Sequence, residues 1–187
     1  MVTFRSMLKH ILSTILVLNL GLLVVLGAVA DGGPAVEAKA GDPMTGDKPA
    51  TVSLQTDSAL QKTIGQVLSD DEKAPTLRLT VTGLTVPKHR DVGIRVYLNK
   101  PDADGKTGIQ NKHYVGSFTL LGDMEKDTPK TVFLDLTKTI RKFRNDRDFQ
   151  PDKPLQITLV PTPIQAEVKL DAVTIPFTSV KISAHGK

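Results

Sequence analysis

The chain has 187 residues, with 24 basic and 20 acidic side chains, four histidines, and neither cysteine nor tryptophan. Without thiols there are no disulfide staples, no Cys₄-type zinc site, no thiolate-ligated blue copper and no thiol redox chemistry, so core packing alone must hold the fold. Two of the basic residues, Arg5 and Lys9, lie in an N-terminal leader; beyond it 22 basic residues face 20 acidic ones, a net charge of +2 with no stripe of the kind that tracks nucleic acid.

Residues 1–30 set Arg5, Lys9 and His10 ahead of an apolar run, Ile11 to Val29, which closes on Ala28-Val29-Ala30. A basic start, an apolar stretch and a small-x-small ending mark a secretory signal peptide, so the chain is expected to be exported. At about 20 residues the run is also long enough to stay as a membrane anchor, and a membrane enters the reading only through this segment. A second small-x-small site, Ala38-Lys39-Ala40, leaves the start of the mature chain open. Residues 31–49 are rich in Gly, Pro, Ala and Asp without periodicity, which predicts a disordered spacer ahead of a domain at 50–187.

Within that domain, Ala50 to Gln55 is a candidate first strand. Leu60, Ile64, Val67 and Leu68 then recur at helical spacing, with Asp57 or Ser58 placed to cap a helix over 57–68; an irregular edge segment is the alternative. Leu77, Leu79 and Val81 alternate with Arg78, Thr80 and Thr82, the period-two pattern of a strand buried on one face. After a turn at 87–91, Val92, Ile94, Val96 and Leu98 repeat the pattern, and Tyr114 to Leu121 supplies the strand that faces it. The loop between them, Lys100 to Lys112, holds Pro101, Asp102, Asp104, Gly105 and Gly108, turn formers expected to bury nothing. Val132, Leu134 and Leu136 share one face of the next strand, with Phe133 on the other. A short helix follows over 137–145 with Ile140 and Phe143 inward, then a strand at 155–160 and one or two more within 167–182. The expected fold is all-β: an antiparallel two-sheet sandwich, Greek-key-like, with one short helix.

Four stretches carry a family resemblance: RVYLN (Arg95 to Asn99), YVGSF (Tyr114 to Phe118), FLDLT (Phe133 to Thr137) and TLVP (Thr158 to Pro161). In this order they resemble the C-terminal β-domain of tyrosinases and plant polyphenol oxidases, over roughly residues 77–182. The sequence departs from that pattern at Ile94 and Arg95, where the family has Phe-Asp. It departs again at Asp123, near a frequent histidine, and at Thr162, where arginine often follows the TLVP strand. The copper-binding catalytic domain that precedes this module in the family is expected to be absent here. The resemblance implies a β-domain that lies over a copper site and sends one side chain into the substrate position.

Catalytic residues are not evident. Beyond the leader the histidines are His89, His113 and His185, whereas a dicopper phenol-oxidising site takes three histidines on each metal. No two of them sit at metal-ligand spacing, and His113 reads as a loop histidine. Met44 and Met124 are too far apart in sequence to suggest a copper-handling pair. Ser117 with His113 and Asp135 has the residue types of a triad, yet Ser117 lies in a strand without a nucleophile elbow. The cluster Lys138, Arg141, Lys142, Arg144 and Arg147, broken by Asp146 and Asp148, reads as a solvated helix face.

No enzyme, metal or cofactor is therefore expected. Tyr97, Tyr114 and Phe133 are the candidate contact residues, and Tyr97 leads because parity turns it outward when Val96 and Leu98 face the core. The resemblance implies a non-catalytic accessory domain that shields, stabilises or assembles a separate copper tyrosinase or polyphenol oxidase. The alternative is a binding module for another envelope or extracellular protein or polymer on the same scaffold.

Overall fold

The computed structural model describes residues 33–85, 91–122, 128–147, 149–164, 170 and 173–186. The leader, residues 87–90 of the turn before the 92–98 strand (His89 among them), Asp123, Met124 and Asp148 lie outside the described residues. Among the described residues ten strands and two helices follow one another. They are β1 (Ala35–Lys39), β2 (Met44–Thr45), β3 (Ala50–Leu54), α1 (Ser58–Leu68), β4 (Thr76–Leu84), β5 (Val92–Leu98), β6 (Tyr114–Leu120), β7 (Lys130–Asp135), α2 (Thr137–Arg141), β8 (Leu155–Pro163), β9 (Thr174–Ile175) and β10 (Ser179–His185).

The strands form two four-stranded antiparallel sheets, ordered β1-β10-β4-β7 and β3-β8-β5-β6, with β2-β9 as a small third pair. Here the expected sandwich is found. Leu77, Leu79 and Val81 of β4 and Val180 and Ile182 of β10 face Ile94, Val96 and Leu98 of β5 and Ile157 and Leu159 of β8, all at most 1% exposed. Burial of side chains this size contributes about 1.5–3 kcal/mol each. Two glycines stand where a side chain would not fit. Gly116 on β6 faces Leu134 on β7, where a Cβ would stand 3.2 Å from its Cδ2. Gly83, at φ 72°, occupies the irregularity where β4 shifts register against β7.

Both helices cap one end of the sandwich. Asp57 starts α1 by accepting the Leu60 amide at 2.7 Å, and Leu60, Ile64 and Val67 bury the inward stripe. So the 57–68 segment is a helix, the second beside the short one expected. α2 ends earlier than expected, yet Ile140 and Phe143 are both inward, at 0% and 2% exposed. A clasp joins the helices. Asp70, just past α1, pairs with Arg144 at 2.6 Å and Arg141 at 3.4 Å, and the Arg144 guanidinium also donates to the Leu68 carbonyl. Arg144 holds the Asp70 carboxyl below its ordinary range by hydrogen bond and charge. Two of the five basic residues read as a solvated face are thus structural partners.

One expectation is corrected here. Residues 33–49, part of the supposed spacer, belong to the fold. β1 pairs with β10 from Ala35↔Ser183 to Lys39↔Ser179, β2 pairs with β9, and Met44 is fully buried. A five-residue strand with only Val36 and Ala38 turned inward carries too little periodicity to read, and β10 supplies the ladder that makes it a strand. Among the described residues no helix is long and apolar enough to cross a membrane.

Candidate functional site

The site is the outer face of β5 and β6 with the loop that covers it. On β5 the residues Gly93, Arg95 and Tyr97 turn away from the main core, as the alternation requires. On β6 the same alternation would send Tyr114 inward along with Gly116, Phe118 and Leu120. A bulge prevents this: Val96 pairs with Gly116 but Tyr97 pairs with Tyr114, so Val115 is the extra residue. The bulge brings Tyr114 to the outer face beside Tyr97, with ring centroids 5.7 Å apart at 63°. Edge-to-face geometry suits the quadrupoles of two aromatic rings.

The loop then folds back over this pair. Asn99 turns the chain at φ 50°, a conformation asparagine tolerates, and its side chain accepts the Gln156 amide at 2.8 Å. Asp104 closes a tight turn, its carboxylate accepting from the Lys106 and Thr107 amides and the Thr107 hydroxyl. The Thr107 hydroxyl bond is the main reason the Asp104 carboxyl sits below its ordinary range. That turn delivers the Thr107 carbonyl to the sheet. Tyr97 donates its hydroxyl to it at 2.5 Å, and the Arg95 guanidinium donates to Thr107 and Gly105 carbonyls at 3.2 and 3.4 Å. Ala103 drops onto the face, forming with Tyr97, Val160 and Tyr114 a small core separate from the main one. Burial pushes the Tyr97 phenol above its ordinary value, with the Arg95 charge opposing.

Two expectations change. Tyr97 lies on the predicted face but is 0% exposed, so it is no free contact residue. The loop that was to bury nothing buries Ala103 to 1%. The backbone carbonyls of Gly105 and Thr107 serve as the acceptors that let the loop close.

The three candidate residues do not form one patch. Tyr97 and Tyr114 are together, Tyr114 half-buried. Phe133 lies on the outer face of the other sheet, paired with Thr80, 60% exposed, under the Arg78 guanidinium at 5.5 Å. A residue the sequence reading missed is Ile109, 53% exposed on the covering loop. An isolated apolar residue among turn formers is its only sequence signal.

The far end of the loop is anchored to α2. His113 bonds the Leu98 carbonyl through Nδ1 at 2.7 Å and packs on Phe143, which stacks on Phe149 at 4.8 Å. Lys112 pairs with Asp146, and the Thr139 hydroxyl donates to the Tyr114 carbonyl. Ser117 sits one face away from Asp135, on the other sheet, so no triad assembles. The ligand set for two coppers does not fit: the sequence holds four histidines, and among the described residues no three or more metal-binding side chains converge.

A family model described as the Chloroplastic Polyphenol Oxidase C-terminal domain matches residues 57–177. Among solved structures, the chain is similar to a latent aurone synthase (polyphenol oxidase), with 16% identity, a TM-score of 0.49, and coverage of 78% of this chain and 26% of that one. It is also similar to latent apple tyrosinase, with 18% identity, a TM-score of 0.41, and coverage of 79% and 27%. The chain therefore spans about a quarter of the length of these two structures. A search of curated proteins found no match.

Proposed function

We propose a function from one premise: this chain belongs to the chloroplastic polyphenol oxidase C-terminal domain family. It acts as an exported, non-catalytic accessory domain that docks on a copper phenol oxidase and shields or stabilises it. The observation that carries this reading is the loop over β5 and β6. It is pinned from below by Tyr97 and Arg95 and anchored beside α2 by His113, and it displays Ile109 to solvent. A loop held at both ends presents an apolar side chain with little ordering cost on binding, as a docking element requires. Tyr97 and Tyr114 then act as the platform under the contact, and Ile109 makes it.

The test combines the full chain with a tyrosinase catalytic domain that lacks its own β-domain, and follows co-purification and phenol oxidation. Binding with a lowered oxidation rate is expected, and Ile109→Asp should weaken both at least about tenfold, or about 1.4 kcal/mol. Equal binding by Ile109→Asp, or loss of binding by Phe133→Ala instead, would place the contact elsewhere.

A further inference from the structure

Among the described residues the two main sheets end in the edge strands β1, β7, β3 and β6, and these edges are not alike. β1 carries Glu37 and Lys39 on exposed positions, and β7 begins at Lys130 and ends at Asp135. β3 is uncharged, but its inward residues Ala50, Val52 and Leu54 are at most 6% exposed, so its flank is sealed. β6 has no charge from Tyr114 to Leu120, and its flank is not sealed. Val115 and Phe118 of β6 and Val132 and Leu134 of β7 pack on the main core yet stay half-buried, an apolar seam beside an open backbone. Natural sheets guard such an edge with charge, proline or a bulge. Here the bulge at Val115 guards only the start, and the Lys130 ammonium, donating to the Leu121 carbonyl at 3.1 Å, closes the far end.

Between those points the ladder fixes which backbone groups face outward. The Asn99 amide donates to the Gln156 carbonyl and the Leu98 amide to the His113 carbonyl, so odd positions of β5 bond towards β8 and even positions towards β6. Val92, Ile94 and Val96 therefore exchange bonds with Leu120, Phe118 and Gly116. Ser117 and Thr119 send their amides and carbonyls to the open side, and both residues are exposed. We propose that this edge pairs with β6 of a second copy of the chain, antiparallel about a two-fold axis at Phe118. Ser117 of each copy then lies opposite Thr119 of the other, each such pair exchanging both amide–carbonyl bonds, and the Phe118 rings meet across the axis. A two-fold contact requires a surface that matches itself. An uncharged strand with a donor and an acceptor at both outward positions meets that condition and buries no charge. The half-buried seam is covered by the same residues of the other copy.

The chain has no cysteine, so a single introduced thiol reports its own neighbours. The test takes the full chain with Phe118→Cys or, as a control, Thr131→Cys at an exposed position of β7, and follows disulfide cross-linking under a mild oxidant on non-reducing gels. Directly opposed residues of a non-hydrogen-bonded antiparallel pair suit a disulfide, so Phe118→Cys should form a covalent dimer at least about tenfold faster than Thr131→Cys. Adding Thr119→Pro, which removes an outward amide and no bond within the sheet, should abolish that excess. Thr119→Lys leaves the backbone intact and should do the same, so the result stands even where the proline variant folds poorly. Ile109→Asp should leave the cross-linking unchanged, which separates this contact from docking on an oxidase. Equal rates for Phe118→Cys and Thr131→Cys would overturn the proposal, and so would an unchanged rate with Thr119→Lys. A monomer whose Phe118→Cys thiol is shielded only when a tyrosinase catalytic domain is added would assign the edge to that partner and overturn it as well.

Discussion

Tyr97 and Phe133 stand in equivalent positions on their strands. Each is flanked by two core-facing residues, Val96 and Leu98 for the first, Val132 and Leu134 for the second, and each points away from the main core. Yet Tyr97 is 0% exposed and Phe133 is 60% exposed. The difference does not lie in strand parity. β5 is an inner strand whose outer face is roofed by a loop, whereas β7 is an edge strand whose Phe133 ring lies under the Arg78 guanidinium and stays 60% exposed. Strand parity decides which face a side chain takes, and the connecting loops decide whether that face is surface.

The largest effect should come from removing the Tyr97 ring. Tyr97→Ala should destabilise the domain by about 3–5 kcal/mol, as much as Leu98→Ala at about 2–5, because each leaves a cavity, the first under the loop and the second between the sheets. Paired denaturant melts check this; a Tyr97→Ala cost below about 1 kcal/mol would mean that the loop does not close over the face. Deleting only the hydroxyl is gentler. Tyr97→Phe should cost about 1 kcal/mol, the usual worth of one hydrogen bond, since Arg95 still donates to the Thr107 carbonyl. Limited proteolysis should then cut within the loop sooner, while β5 itself remains protected.

The same phenol sets a dependence on alkali. Its folded pKa is raised, so the folded state holds the proton more tightly than the unfolded chain. The associated stability is therefore complete below the unfolded value, about 10, and is lost as pH rises through the folded one. Melts of parent and Tyr97→Phe should diverge least above that pH, the parent falling toward the variant. A constant gap up to about pH 11 would show that the phenol is not held by burial. Phe133→Ala should matter least, under about 1 kcal/mol, the scale of an exposed cation–π contact. A larger loss would mean that this face is covered after all.

The legible parts of the fold were those in which one strand states its own periodicity. β4, β5 and the inward half of β8 carry three or four apolar residues at every second position, and Asp57 marks the start of α1 by its capping chemistry. β1 was illegible for the opposite reason. Alanine and valine in a Gly- and Pro-rich context bury little on their own, and the strand exists because β10, some 140 positions away, offers an edge. The site was half legible. The YVGSF stretch located the right surface, but nothing in it reveals that Val115 is a bulge, and the sense in which Tyr114 points depends on that one residue. The roof was hidden because its closure depends on main-chain carbonyls of Gly105 and Thr107, which no side-chain pattern displays.

The pairing of β1 with β10 also governs when the domain can form. The first sheet joins β1 to β10 across most of the described residues, and β3 likewise waits for β8, so neither sheet has a complete core until β8 and β10 have been made. Chains dominated by such distant pairings fold slowly, because the entropy of closing a long loop is lost before the contacts repay it. Until β8 and β10 are made, only pairs nearer in sequence, β5 with β6 and β4 with β7, have both their partners. The topology thus acts as a timer, delaying full compaction until β1 has met β10.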